Sequence, residues 1–175
     1  MQNLTNTVSV DLKTQKTDSD QSETLSEYRY GNGDGKIIAF NIMGGHGNKS
    51  RIFSQGELIQ ISLQLEYYKN TPRSLAAYTI KTVSGVEVTG TNTNYENVDL
   101  LEKHAGDIIN VTFTQHTALN AGDYVISLGF IELVDDEIVV MDRRYDVITF
   151  KVAETKKAAG LVDPNAEIKV SIINK

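Results

Sequence analysis

The stretch from 121 to 152, AGDYVISLGFIELVDDEIVVMDRRYDVITFKV, constrains the fold more than any other part of this chain. Tyr124, Ile126, Leu128 and Phe130 recur at every second position, and so do Ile148, Phe150 and Val152. A period of two is the strand period, because successive strand side chains point to opposite faces. Two such runs around Asp135-Asp136-Glu137, a short acidic turn, predict a β-hairpin with one buried face. The other face carries Val125, Ser127, Gly129 and Ile131, small or aliphatic for a wetted surface. That composition predicts a partner subunit or space for a ligand.

The rest of the chain must cover the inner face. Residues 58–68 alternate Ile59, Ile61, Leu63, Leu65 and Tyr67 with Gln60, Ser62, Gln64 and Glu66, a strand with one wet face. Further strands are predicted at 36–43, at 75–83 with Ala76, Tyr78 and Ile80 inward, at 86–89, and at 107–115 with Ile109, Val111 and Phe113 inward. Residues 100–104 and 153–159 read as short helical turns or linker, and 167–173 as a last strand. No period of roughly 20–50 residues repeats, which excludes a solenoid. Short strands separated by turns define an all-β chain, an immunoglobulin-like antiparallel β-sandwich of about seven to eight strands.

Residues 1–27 are rich in Thr, Ser, Gln, Asp and Asn and poor in large apolar groups. Such a segment buries too little to offset chain entropy and reads as a linker or tail, with a weak strand pattern at 8–12. The organisation expected is a linker at 1–27, a sandwich at 28–152, and an extension at 153–175.

Several function classes fall away. The chain of 175 residues has no cysteine, so neither a disulfide framework nor a thiolate metal site exists. No apolar run approaches the roughly 18 residues of a membrane helix. A formal net charge of −6 argues against binding nucleic acid through its phosphates. Gly44-Gly45-His46-Gly47-Asn48-Lys49-Ser50 has the wrong spacing for a phosphate loop. Asn32-Gly33-Asp34-Gly35 lacks the acidic ligands of a calcium loop at positions 30 and 41. His46, His104 and His116 are scattered over loops, and no metal, cofactor or catalytic constellation is predicted. What remains is a set of amides and hydroxyls on the wet faces: Gln60, Ser62, Gln64, Thr79, Lys81, Asn110 and Thr112, with the loop 91–97 adding more amides and Tyr95. Amides and charged groups bind fixed sugar hydroxyls, and a flat aromatic covers a sugar ring face.

The order of signals resembles the C-terminal domain of the ATPase subunit of polysaccharide-exporting ABC transporters, the Wzt type that handles O-antigens. The likeness rests on Arg29-Tyr30-Gly31 with the acidic turn after it, Gly90-Thr91-Asn92-Thr93, Gly122-Asp123-Tyr124, and Asp142 with Phe150-Lys151-Val152. It covers about residues 28–152. The resemblance implies a β-sandwich that does no chemistry, binds a polysaccharide (often at a modified chain end), and selects it for export. It also implies a homodimer, with exchange of the last strand in at least one case; here 159–173 would supply that strand or close its own sheet. The family carries a nucleotide-binding domain on the N-terminal side, and this sequence has no Walker A motif. The chain is therefore expected to be an excised domain with its linker, meeting a membrane permease through that missing domain at the cytoplasmic face of the membrane. The glycan-binding residues expected are Gln60, Gln64, Lys81, Asn92, Tyr95 and Arg143. A structural immunoglobulin-like module of a surface or adhesive protein is the alternative, and a glycan hydrolase a third class.

Overall fold

The computed structural model describes residues 27–135 and 137–173. The strand pattern at 8–12 and Asp136 of the acidic turn lie outside the described residues. The described chain is all-β: β1 (Arg29–Tyr30), β2 (Gly35–Gly44), β3 (Ile52–Ser54), β4 (Leu58–Tyr67), β5 (Ser74–Thr82), β6 (Glu87–Asn92), β7 (Ile108–His116), β8 (Gly122–Val134) and β9 (Glu137–Ala153). They form two sheets. The large one runs β1-β9-β8-β5-β6, with β3 also pairing β9, and the small one runs β2-β4-β7. Every pairing is antiparallel except β3 with β9.

The central hairpin is β8–β9. Asp135, in the two-residue connection, takes φ 49°, the positive backbone angle that tight hairpin turns require. Tyr124, Ile126, Leu128, Phe130, Ile148, Phe150 and Val152 are all buried, as the alternation predicts. They meet Ile59, Ile61, Leu63, Leu65 and Tyr67 of β4 and Ile37 and Ile42 of β2 in one core between the sheets. Burying each such large side chain stabilises the fold by roughly 1.5–3 kcal/mol. The Tyr124 hydroxyl donates to the Asn120 carbonyl at 2.7 Å, a tyrosine corner of the kind immunoglobulin-like sandwiches carry. A Cβ at Gly122 would meet that ring at ordinary contact distance, 3.4 Å.

Other motifs resolve into structural fastenings. Asp142, buried in β9, takes both prongs of Arg29 at 2.7 and 2.8 Å and the Ile37 amide at 2.7 Å. Gly31 lies so close to β9 that a Cβ would come within 2.2 Å of the Met141 carbonyl oxygen. Arg144, one residue beyond Arg143, binds Glu27, donates to the Ile37 carbonyl at 3.1 Å and lies over the Phe40 ring.

Several expectations need correction. β1 and β3 are too short to show periodicity, and they raise the strand count to nine. The strand expected at 86–89 extends to Asn92, through the polar run taken as irregular. No helical turn forms at 100–104 or 153–159; Lys103 instead bridges Thr71. Residues 153–163 fold back on the domain through Gln55, Asn120 and the Leu119–Val162 bridge. Residues 164–173 join no sheet, so the last strand does not close its own protomer. Ile168, Val170 and Ile172 there are 86%, 90% and 87% exposed.

Candidate functional site

The sandwich presents two outer faces. On the large sheet, β5, β6, β8 and β9 form the floor and walls of a groove of about 510 Å³. Ala77 and Thr79 come from β5, Gly90 and Asn92 from β6, Ile131 from β8, and Ile138 and Arg143 from β9. Tyr95 stands on the loop beyond β6 and is 75% exposed.

The floor is shallow because its residues are small. Gly90 lies against β5 so closely that a Cβ would meet the Tyr78 carbonyl oxygen at 2.6 Å. Gly129 is buried beneath Arg143, whose guanidinium would lie 3.7 Å from a Cβ there. The loop rising from this floor is held locally. The Thr93 hydroxyl accepts from the Ala76 amide at 3.3 Å, the Asn92 side-chain oxygen accepts from the Tyr95 amide at 2.9 Å, and Thr91 donates to Glu96 at 2.6 Å. Beneath the groove, burial pushes the Tyr78 hydroxyl up to about 12, with the nearby Glu96 charge adding to the shift.

Next to the groove the same face carries an aromatic and cationic cluster. Tyr28, Tyr30 and Tyr145 meet with ring centroids 5.4–6.2 Å apart. Lys81 and Arg143 both lie over the Tyr145 ring, at 5.2 and 5.4 Å. A bulge in β9 organises this region: Asp146 takes φ 54°, and its carboxylate accepts from Ser127 at 2.9 Å and pairs with Lys81 at 2.6 Å. Tyr30 titrates above the ordinary tyrosine range, because of desolvation first and its bond with Tyr145 second.

Of the residues predicted from sequence, Lys81, Asn92, Tyr95 and Arg143 share this outer face. Asn92, Tyr95 and Arg143 line the groove itself. Lys81 is nearly buried and committed to Asp146, so it supports the face rather than presenting a free amine. Gln60 and Gln64 do not join them. They lie on β4, on the outer face of the small sheet, across the full thickness of the sandwich. There Gln64 bonds Asn110 at 3.3 Å and Ser62 bonds Thr112 at 3.0 Å, beside a second concavity of about 460 Å³ containing Phe40 and Lys49. Wet-face alternation identifies outward residues but not which sheet they occupy, and strand order decides that. The faces of Ser127, Gly129 and Ile131, predicted to meet a partner or ligand, are covered in part by this chain's own Asp146 and Arg143.

Sequence reasoning missed Tyr145 and Tyr30 as groove neighbours, and it named Thr79 as a wet-face hydroxyl without counting it among the glycan-binding residues. Arg143 and Tyr145 stand two apart on one strand, so the signal for Tyr145 was present. For Tyr30 it was not, because β1 is two residues long. Among the described residues there is no group of three or more His, Cys, Asp or Glu side chains placed to hold a metal. The three histidines are exposed and apart.

The described residues form a nine-stranded, two-sheet β-sandwich with a groove on the outer face of its large sheet. The chain belongs to the Wzt C-terminal domain family, whose model matches residues 26–164. Among solved structures it is similar to a crystal structure of the C-terminal domain of wzt, with a TM-score of 0.78 and 24% identity, covering 84% of this chain and 90% of that one. That likeness establishes the fold. No curated protein matches.

Proposed function

We propose that this is a non-catalytic carbohydrate-recognition domain that binds a polysaccharide, O-antigen-like and engaged at a modified chain end, for export by an ABC transporter. The domain works at the cytoplasmic face of the membrane, beside a nucleotide-binding domain and its permease. Family membership supports the transporter setting. The observation that carries glycan binding is the groove on the large sheet. Its floor is small, Asn92 and Thr79 offer hydrogen bonds, and Tyr95 offers an exposed ring. Fixed hydroxyls suit the first and a sugar's apolar face suits the second. Asn92 spends its side-chain oxygen on the Tyr95 amide, which leaves its amino group to donate. Gln60 and Gln64 on the far face are not part of this groove.

Calorimetric titration of the folded domain with polysaccharide purified from the producing cell tests the reading. Binding weakened by Tyr95→Ala and unchanged by Gln64→Ala supports it; no binding to a folded sample overturns it. Intact glycan after prolonged incubation excludes the hydrolase class.

The domain acts as a homodimer in which residues 164–173 add to the partner's sheet. Ile168, Val170 and Ile172 alternate and are exposed in the isolated protomer. Among the described residues β7 pairs only with β4, and its inner-face residues Ile109 and Val111 are half-buried. An added strand would satisfy that open edge and cover those side chains. Because 153–163 fasten to their own domain, the cut that tests this belongs after Pro164 rather than after Val152. A dimer that survives removal of 165–175, measured by light scattering, defeats the exchange.

A further inference from the structure

We infer that Arg143 reads an acidic substituent on the bound glycan, a carboxylate or a phosphate. This rests on the groove being a carbohydrate site. The reason is a contrast with several other cations of the large sheet and its surroundings. Arg29 is paired with Asp142, Arg144 with Glu27, Lys81 with Asp146, and Lys69 with Asp34 and Glu132. Arg143 stands between Asp142 and Arg144 and has no carboxylate among the described residues. It lies over the Tyr145 ring, and its Nε is buried with no hydrogen-bond acceptor among the described residues. Its charge is therefore not neutralised by a carboxylate among the described residues, and it lines the groove. Two of the acidic groups nearest this region are engaged, and Glu87, exposed, lines the same groove. Asp146 is held by Lys81 and Ser127, and Glu96 accepts from Thr91.

A planar guanidinium held over an aromatic ring is a pre-set donor for carboxylate or phosphate oxygens. Arg29 and Asp142 display such two-pronged binding in this same molecule. The ring of Tyr145 and the small Gly129 fix where the guanidinium lies, so an acid at one position of a sugar would be distinguished from the same acid at another. Neutral sugars would still use Asn92 and Tyr95, but without the charge-assisted contact.

The test titrates the whole domain with the producing cell's purified polysaccharide, its carboxyl-reduced form and its dephosphorylated form, each at low and high salt. The expected result is that one of the two treatments lowers affinity by roughly tenfold or more, as a charged hydrogen bond is worth. Which treatment does so assigns carboxylate or phosphate. Arg143→Gln should cause the same loss on the untreated polymer, abolish its salt dependence and bind the treated polymer as the parent does. Arg143→Lys should recover part of the loss. Thermal melting checks folding, and the treated polymers with the parent protein decide the matter even if the glutamine variant fails to fold. Equal affinity for all three polymers overturns the role of Arg143 and leaves glycan binding standing. Binding to none of them overturns glycan binding itself.

Discussion

Asp142 holds together more of this protein than its single carboxylate suggests. It receives Arg29 and the backbone amide of Ile37, and so ties β1, β2 and β9 at one point. Asp142→Asn keeps the shape but loses the charge and leaves donors unmatched. Arg29 is partly exposed, so the cost is smaller than for a fully buried pair. We expect about 2 kcal/mol, read from urea unfolding. Tyr78 makes a different prediction. Its hydroxyl bonds Gln115, and its pKa is raised to about 12 by burial. A raised pKa favours the protonated form on folding. That contribution is therefore complete below pH 10 and is lost as pH climbs from about 10 to about 12, about 2–3 kcal/mol at most. Tyr78→Phe should flatten the alkaline limb of the stability profile; an unchanged limb would mean another group governs it.

At the scale of elements, Gly90 in the groove and Gly129 beneath Arg143 separate folding from recognition. Gly90 has no room for a Cβ against the β5 backbone, so Gly90→Ala should shift β6 and lower the melting temperature. At Gly129 a Cβ would meet Ala77 and Arg143 at ordinary contact distance. Gly129→Ala should fold as the parent does and change only ligand affinity. These cases also show what the sequence made legible. The β8–β9 hairpin and β4 announce themselves because each buries one clean face, so their inward residues could be named in advance. β1 and β3 span two and three residues, too few for any period to register. The site was legible residue by residue but not as a site. Asn92 and Arg143 are far apart in sequence and become neighbours only through the order β9-β8-β5-β6, whereas Gln64 looks equivalent along the chain and lies on the opposite face. The role of Lys81 was hidden by a bulge, which turns Asp146 onto it and which no alternation predicts.

For the whole molecule, the arm at 164–173 sets the dominant expectation. An isolated protomer leaves Ile168, Val170, Ile172 and Ile173 almost wholly in water. If they are covered by a second copy, stability depends on concentration. The melting temperature of the full chain should rise with each dilution step reversed, whereas that of the chain ending at Pro164 should not move. A concentration-independent melt of the full chain counts against exchange. Acid should loosen the base of the arm. The carboxyl of Asp163, held by Lys156 and the Asn165 amide, titrates below its ordinary range, so its contribution is present at neutral pH and lost as pH falls below about 4.

The clamps on β9 also have a mechanical meaning. β1 offers only two residues of ladder, Arg29 against Arg144 and Tyr30 against Arg143, a weak hold against a pull on the chain entering at residue 27. Such a pull would pass instead through Glu27 to Arg144 and through Arg29 to Asp142, into the longest strand among the described residues. These side chains make a stiff handle out of what would otherwise peel. The residue between the two anchors is Arg143, so the fastening of β1 and the wall of the groove share three consecutive residues of one strand.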